Sequence, residues 1–451
     1  MTGRRDDPVD DQAAPRPRRF VPDPSWQRHD RTVLAGSPLR IFRLGAAGVT
    51  LVERLEAGSA LAADEEATIL VQRLLDAGAI HPVVLGTRSP DGRSGDSTVT
   101  VVTPQLGGTV HLDGRVTVDD GSDPPLAGAT FRLTQNRGPA AARNATRAIV
   151  DTALVAFLDA DVHAEPGWFE PLLAHFDDPA VGLVAPRVTG EARSPLDLGD
   201  EPARIRSGTR VSYVPGAALV VRRAALDAVG WFDETLRFGE DVDLVWRLDE
   251  MGWRCRYDPS VTVWHRPRDT WPARLRQHAD YGTSAAPLAL RHPHSLAPMR
   301  SNGWTAAVWV LATATLAPVP SLVLAVASAA ALPRQLPELP RRVAVSLALR
   351  GHALGGKQLA EAVRRAWWPV VAVAALRSNR ARAVLIASLL AAPRSAATDA
   401  AYGWGLWTGM IRHRTIAPVL PRISAWPGRR PSTGRHGATT AVDVRAVRSS
   451  T

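Results

Sequence analysis

Short runs of β-branched residues alternate with helix-like stretches between residues 98 and about 295. The runs are Thr98–Thr103, Arg115–Val118, Thr130–Leu133 and Leu154–Leu158. This alternation predicts an α/β fold built on a sheet. The fourth run leads into Asp159-Ala160-Asp161, so two carboxylates are expected at the carboxyl end of a strand. Ligands of open α/β sheets gather at that edge.

Three further groups of polar residues occur in order around this acidic pair. They are Asp119 and Asp120 after the second run, Arg143 and Asn144 where a turn enters a helix, and Glu240 and Asp241 about 80 residues later. Each group alone is usual at a solvated strand end, a turn or an exposed helix start. Their order and spacing together are more specific and indicate one site.

These side chains suit a nucleotide-diphosphate sugar. Asp159 and Asp161 can hold Mg²⁺ or Mn²⁺ through hard oxygen ligands, and the ion would assist a departing diphosphate. The guanidinium of Arg143 matches phosphate geometry. A carboxylate at Asp119 or Asp120 can accept a hydrogen bond from a uracil N–H, and a later carboxylate can take the proton of an attacking hydroxyl.

Over residues 98–295 the four groups resemble those of inverting family-2 glycosyltransferases. The resemblance implies the GT-A fold, with a Rossmann-like mixed sheet. It assigns a catalytic pair, Glu240 with Asp241 as general base. For the nucleotide sugar it implies Asp119, Asp120, Arg143, Asn144 and Asp159, and for the metal it implies Asp159, Asp161 and His265. His265 follows Trp264 and could equally be structural.

The sequence departs from the family after its first predicted strand. Asp119 follows Pro104 by only 15 residues, and the interval contains Gly107 and Gly108. Adjacent glycines disfavour a helix. We expect the first crossover helix to be reduced to a turn, although a parallel pair of strands remains feasible.

The N-terminal region predicts a small separate unit. Residues 1–30 have the composition of a disordered leader, and residues 87–97 that of a linker. Residues 31–86 contain a strand at 39–44 and helices at 46–55 and 65–77. This order resembles a winged-helix-like, PqqD-like peptide-recognition unit; an ordinary helical cap is the alternative.

The region 301–426 is predicted to be apolar, helical and membrane-associated. No charged residue occurs from Ser301 to Pro333. This uncharged stretch is longer than the roughly 20 residues needed to cross a bilayer. Pro318 and Pro320 could kink one transmembrane helix or form a re-entrant hairpin, and a buried hairpin is the alternative. Weaker apolar stretches at 366–376 and 383–392 are expected at the interface. Residues 427–451 are expected to form a disordered tail.

The whole architecture resembles the mycofactocin-system glycosyltransferases. That resemblance implies a nucleotide-activated glucose donor such as UDP-glucose, a peptide-derived acceptor and a β-linked product. Without a secretory signal at its start, the chain is expected at the cell membrane with its catalytic domain facing the cytoplasm. The net charge of +10 suits diphosphates or anionic lipid and is weak support for nucleic acid.

Other functions remain open at this stage. The single Cys255 excludes an intramolecular disulfide framework and a cysteine-based zinc site. A relative with an impaired donor site could act as a peptide- or cofactor-binding protein, and a transferase could use another envelope glycan or lipid acceptor. A processive synthase is disfavoured because the Gln-x-x-Arg-Trp motif is not found.

Overall fold

The computed structural model describes residues 18–83, 99–110, 115–190, 196–266, 270–316 and 318–424. These residues form two compact units, one made of the described residues up to 83 and one of those from 99 onward. The predicted linker at 87–97, the tail at 427–451 and the first 17 residues of the predicted leader lie outside the described residues.

The N-terminal unit contains the elements that its sequence predicts. The strand expected at 39–44 is β4 and the first helix is α1, whereas the second helix is divided into α2 and α3. The elements are β1 (Arg19–Pro22), β2 (Gln27–His29), β3 (Thr32–Ala35), β4 (Arg40–Arg43), α1 (Ala46–Glu56), α2 (Ala63–Glu66), α3 (Ile69–Asp76) and β5 (Ile80–Val83). β2, β3 and β4 form an antiparallel meander. The likeness to a PqqD-like unit stays a prediction.

The prediction of a disordered leader over residues 1–30 is wrong for its described part. β1 pairs antiparallel with β5, with Arg19 opposite Val83. Phe20 is buried in the apolar core of the unit together with Leu61 and Leu75. Burial of one large apolar side chain and pairing of the backbone offset the cost of ordering this Arg- and Pro-rich segment.

The second unit is built on a mixed sheet. In the described residues its strands are β6 (Val99–Gln105), β7 (Val116–Asp120), β8 (Phe131–Leu133), β9 (Leu154–Leu158), β10 (Val162–His163), β11 (Val181–Thr189), β12 (Ala203–Ile205), β13 (Ala218–Arg222) and β14 (Arg254–His265). Their order is β10-β14-β11-β13-β9-β6-β7-β8, with β12 paired to β14. β13 is antiparallel to β9 and β11. The four runs read from the sequence are four adjacent parallel strands, β9, β6, β7 and β8.

Alternate residues of the central strands are buried on opposite faces of the sheet. On β9, Phe157 belongs to one apolar core and its neighbour Leu158 to the other. Side chains from α5 (Arg223–Val229) and α6 (Glu240–Glu250) complete the first core. The 3₁₀-helical segment Glu170–Asp177 completes the second. Burial on both faces explains why these strands read as continuous apolar runs.

The connection from β6 to β7 contains no helix in its described residues, 106–110 and 115. Gly107 and Gly108 have φ of +73° and +82°, a conformation that glycine adopts readily and that ends a helix. β6 and β7 still pair in parallel, with Thr103 opposite Thr117. The shortened crossover predicted from the two glycines is therefore confirmed over these residues.

Helices complete the unit. The remaining ones are α4 (Pro139–Asn144), α7 (Trp271–Thr283), α8 (Ala285–Arg291), α9 (Gly303–Thr315), α10 (Pro318–Ala331), α11 (Arg341–Ala362), α12 (Trp368–Ala375), α13 (Asn379–Ala391) and α14 (Ala396–His413). A π-helical turn, Val363–Trp367, joins α11 to α12. α14 packs closely on α7, since a Cβ on Gly405 would lie 1.7 Å from the carbonyl oxygen of Ala279. Short strands β15 (Arg300–Ser301) and β16 (Arg422–Ile423) pair in parallel.

The prediction of a transmembrane helix between Ser301 and Pro333 is wrong. α9 ends at Thr315, Leu316 takes a left-handed conformation with φ of +53°, and Pro318 begins α10. Proline favours the first position of a helix because it lacks the N–H that would lie unpaired there. Among the described residues, every helix is too short or too polar to cross a bilayer.

Candidate active site

A buried arginine joins two of the acidic groups that the sequence singles out. Arg143, on α4, is 1% exposed. Its Nη2 donates to Asp159 Oδ1 at 2.7 Å and to the carbonyl oxygen of Gly216 at 3.2 Å. Its Nη1 donates to Glu240 Oε1 at 2.9 Å. The end of β9 and the start of α6, distant in sequence, therefore meet at one cation.

The carboxyl groups around Arg143 hold protons more tightly than usual. Burial, followed by the charge of Asp241, raises the pKa of Glu240 to about 7, although Arg143 acts in the opposite direction. Burial also raises the pKa of Asp159, again against the effect of Arg143. Acids shifted in this way by burial and like charge inside a cleft are candidates for a functional site.

Backbone donors fix the position of Asp241. Its Oδ2 accepts from the N–H of Gly216 at 2.7 Å, and its Oδ1 accepts from the N–H of Val242 at 2.8 Å. Gly239, with φ of +79°, makes the sharp turn that starts α6 just before Glu240. Burial raises the pKa of Asp241. An oriented and poorly solvated carboxylate of this kind can serve as a general base.

Asp159, Asp161 and His265 lie at one edge of the sheet. Asp159 directly follows β9, and β10 pairs antiparallel with the end of β14 so that Val162 is opposite His265. This pairing brings Nε2 of His265 to 3.4 Å from Oδ2 of Asp161. Within the described ranges, no three His, Cys, Asp or Glu side chains are grouped closely enough to hold a metal by themselves.

A cavity of about 270 Å³ lies beside the acidic motif. Its walls are Thr103 and Gln105 of β6, Arg115 and Thr117 at β7, and residues of the segment 160–166. The two pairs of alternate strand residues share one face of the sheet, next to the shortened crossover. Oγ1 of Thr103 is buried and has no hydrogen-bond partner in the described part of the chain. The cavity therefore offers a polar group to a ligand.

Asp119 is directed into the protein. One carboxylate oxygen accepts from the N–H of Ser122 at 2.8 Å. The other accepts from the N–H of Leu126 at 3.2 Å and from Nη1 of Arg132 at 2.9 Å. These donors lower the pKa of Asp119, although its burial alone would raise it. The carboxylate holds the turn after β7 and does not line the cavity.

Asp120 and Asn144 also make contacts within the protein. The carboxylate of Asp120 accepts from the backbone N–H groups of residues 137 and 138, both at 2.8 Å, which fixes the turn that leads to Arg143. The amide of Asn144 donates to the carbonyl oxygen of Phe232 at 2.9 Å and accepts from its N–H at 3.1 Å. Both side chains position Arg143 from either end of α4.

One residue next to Asp241 was missed in the sequence. Tyr213 is 47% exposed and lies on a loop tied to α6 at both ends, by Trp246 Nε1 donating to the carbonyl oxygen of Ser212 at 2.8 Å and by Gly216 donating to Asp241. Partial burial raises the pKa of Tyr213. The loop thus holds Tyr213 near the start of α6, where Asp241 lies.

Two residues of the C-terminal helices influence the ionisation of Tyr213. Arg365 is on the π-helical turn, and its guanidinium lies 4.2 Å from the ring centre of Tyr402 on α14. Besides burial, Tyr402 and Asp241 raise the pKa of Tyr213, whereas the positive charge of Arg365 lowers it. π-helical turns occur frequently at functional sites. No motif marks Arg365 or Tyr402 in the sequence, because their place depends on the packing of α14 on α7.

A model of glycosyl transferase family 2 matches residues 128–207, the segment that contains α4 and the acidic motif. The "Pre-mycofactocin glycosyltransferase" of Mycobacterium tuberculosis, strains CDC 1551 and H37Rv, is 38% identical over 87% of this chain and 94% of its own length. This chain belongs to the pre-mycofactocin glycosyltransferase family. It is therefore a glycosyltransferase, and its mixed sheet is GT-A-like.

Two partial likenesses accompany this match. The "N-acetylglucosaminyl-diphospho-decaprenol L-rhamnosyltransferase" of Mycobacterium tuberculosis CDC 1551 is 34% identical over 26% of this chain and 38% of its own length. Among solved structures, the mannosyltransferase PcManGT from Pyrobaculum calidifontis, in complex with GDP-Man and Mn²⁺, is 18% identical. The superposed region covers 70% of this chain and 86% of the mannosyltransferase chain. The TM-score of 0.39 marks a remote likeness.

Proposed function

We propose that this glycosyltransferase moves a hexose from a nucleotide-diphosphate sugar onto pre-mycofactocin, the acceptor in the name of its relative. We assign glucose as the hexose, UDP-glucose as the donor and inversion at the anomeric carbon. The observation that carries the proposal is the junction at Arg143, where the acidic motif after β9 meets the acid pair of α6. Donor-side and acceptor-side groups are thereby held within one cleft.

The donor side is the acidic motif with the neighbouring cavity. The nucleotide base enters the cavity, whose wall contains Thr103 with its unpaired Oγ1, and the diphosphate lies towards Asp159 and Asp161. Asp119 and Asp120 serve the donor indirectly, because their oxygens already accept from protein donors. They shape the turns that border the site.

A divalent cation, Mg²⁺ or Mn²⁺, fits this donor set. Oδ2 of Asp159 accepts no hydrogen bond from the described residues, and Asp161 lies beside His265 at the same strand ends. Carboxylate oxygens with one imidazole suit a cation whose other ligands are phosphate oxygens. When bound, the ion supplies positive charge to the departing diphosphate. The like charges of Asp159 and Asp161 are balanced at the same time.

Asp241 acts on the acceptor. The acceptor hydroxyl oxygen bonds to the anomeric carbon while the bond from that carbon to the diphosphate oxygen breaks, and the electron pair leaves with the nucleoside diphosphate. The hydroxyl proton passes to Asp241, which Gly216 and Val242 hold in a fixed orientation. Displacement from the opposite face inverts the carbon. Glu240 and Arg143 set the charge around the base.

Tyr213, Arg365 and Tyr402 form the acceptor side. Tyr213 lies on the loop whose Gly216 N–H donates to Asp241, and the guanidinium of Arg365 lies over the ring of Tyr402. Such a set binds a planar or aromatic acceptor through stacking and cation–π contact. The peptide-recognition role of the N-terminal unit would add to this binding.

The test is transfer from a panel of nucleotide sugars to pre-mycofactocin, followed by mass spectrometry. We expect increments of one hexose with UDP-glucose. Asp241→Asn should lower kcat by about 10²- to 10⁴-fold with donor affinity retained. The matched control is Asp151→Asn, at an exposed acid just before β9, which should keep full activity. Full activity of Asp241→Asn would overturn the assignment of the base. If the unaltered enzyme transfers no sugar of the panel to pre-mycofactocin, the proposed function is overturned.

A further inference from the structure

The apolar pattern of α10 is inverted. Its buried residues are Ser321, Ala325 and Ala329, spaced four apart on one face of the helix. The large apolar side chains Val319, Leu322, Val323 and Val326 are instead between 52% and 67% exposed. A helix at a protein–water boundary has the reverse arrangement, with its large apolar stripe towards the core.

The next hairpin, α12–α13, repeats this inversion. Ser388 is the buried residue of α13, whereas Ile386 and Leu390 are exposed. On α12 and just after it, Val373 and Leu376 are exposed, Leu376 by 76%. We call the exposed side chains of these helices, with Val319, Leu322, Val323 and Val326 of α10, the apolar face. Large apolar side chains exposed in such number on three helices indicate an interaction site.

The polar contacts of the same helices are inside. His352 of α11 lies between two hydroxyls, with Nδ1 3.0 Å from Thr305 Oγ1 of α9 and Nε2 2.9 Å from Ser328 Oγ of α10. Its carbonyl oxygen accepts from Trp309 Nε1 at 2.7 Å. Gly355 allows α11 to approach Thr305 closely. Small residues and interhelical hydrogen bonds inside, with large apolar residues outside, are typical of helices that face lipid.

The charge of this region complements an anionic surface. Residues 301–426 contain fourteen Arg or Lys and three Asp or Glu. Three exposed arginines, Arg377, Arg380 and Arg382, follow Leu376 in sequence, at the turn between α12 and α13 and at the start of α13. Arginine side chains beside an apolar anchor can reach lipid phosphates while their stems stay in apolar surroundings.

We propose that the apolar face lies in the surface of an anionic lipid bilayer, with Arg377, Arg380 and Arg382 at the level of the phosphates. α9 and α10 have 13 and 14 residues, fewer than the roughly 20 that a span requires. The hairpins therefore enter the boundary of headgroups and acyl chains without crossing it, as interfacial helices do. This inference is independent of the sugar and the acceptor.

The test is flotation of the full chain with vesicles of phosphatidylglycerol and phosphatidylcholine, and with vesicles of phosphatidylcholine alone. We expect binding to the anionic vesicles. Leu322→Asp combined with Val326→Asp should lower the bound fraction about tenfold or more. Replacing Arg377, Arg380 and Arg382 by Gln should lower it about tenfold on anionic vesicles only. The control is Met251→Asp, at a side chain of similar exposure after α6, which should bind normally.

Circular dichroism establishes that each variant is folded, whether or not sugar transfer is observed. The inference is overturned if the unaltered chain stays with neither kind of vesicle, or if Leu322→Asp with Val326→Asp floats as well as the unaltered chain. It is also overturned if light scattering shows a dimer that this double variant separates and the unaltered chain binds no vesicles. In that case a second copy covers the apolar face.

Discussion

The sheet and the helices α10, α11 and α13 of the second unit bury opposite kinds of side chain. In the sheet, Phe157 and Leu158 are fully buried, and the buried charge of Arg143 is paired with Asp159 and Glu240. In the helices, Ser321 and His352 are buried and Leu322 is exposed. The same unit therefore buries its large apolar side chains in the sheet and exposes them on these helices.

This contrast shows that composition alone misleads about location. The apolar stretch 301–333 is what a membrane-spanning helix looks like by hydropathy, yet its helices are short and packed against one another. What distinguishes the region is the direction in which its large side chains point. That direction follows from the burial of each residue rather than from the mean hydropathy of a window.

The largest expected effect on stability comes from removing the charge of Arg143 from the site at the sheet. Arg143→Met leaves Asp159 and Glu240 near each other without their cation, so we expect a loss of about 3–5 kcal/mol in the free energy of unfolding, measured in denaturant, together with loss of transfer. Arg137→Met, which removes an exposed ion pair with Glu234, should cost less than about 1 kcal/mol. Equal costs would mean that Arg143 is not the junction described.

A second pair of variants tests the inversion directly. Phe157→Ala should lower the free energy of unfolding by about 3–5 kcal/mol, because it leaves a cavity between sheet and helices. Leu322→Ala should change it by less than about 0.5 kcal/mol in buffer without lipid. Denaturant unfolding of both variants measures the difference. A cost above about 2 kcal/mol for Leu322→Ala would show that its side chain is covered in solution.

The smallest effect is on the pH dependence of transfer. Asp241 must be ionised to accept a proton, and it shares a buried site with Glu240, whose pKa is raised to about 7. Activity should therefore rise with pH as this pair of buried carboxyl groups loses its protons. Glu240→Gln removes a negative neighbour and lowers the pKa of Asp241, so the acid limb of the kcat profile should move down by about one unit. If the acid limb of the kcat profile does not move in Glu240→Gln, Glu240 does not influence the ionisation of the base.

Vesicle binding by the C-terminal helices should depend on pH differently from sugar transfer. Burial lowers the pKa of His352, so this histidine remains neutral as the pH rises past 7. Vesicle binding should stay constant while activity changes. Binding that falls with activity would indicate that the two halves titrate together.

The sequence was sufficient to locate the sheet and its acidic edge. β6, β7, β8 and β9 lie within a residue or two of the predicted runs. For β7 and β9 the reason is that strands buried on both faces are short apolar segments with clear ends. The position of Asp159 at a strand end follows from the same pattern. Glu240 at the start of α6 was predictable because acids favour that end of a helix.

Contacts that depend on tertiary packing could not be read from the chain. Nothing local indicates that the carboxylate of Asp119 is satisfied by Ser122, Leu126 and Arg132, so its resemblance to a nucleoside ligand overstated its access. Arg365 reaches the cleft only through a π-helical turn and a helix–helix contact. The leader prediction failed because a paired strand can order a segment of unfavourable composition.

Arg143 makes the two sides of the cleft one thermodynamic system. It donates to Asp159 and to Glu240 through different nitrogens of one guanidinium. Any ligand that changes the negative charge at Asp159 must therefore change the proton affinity of Glu240, and protonation of Glu240 must change the affinity for that ligand by the same free energy. Donor affinity and the protonation of Glu240, the acid beside the base Asp241, are linked quantities, and a change in one changes the other.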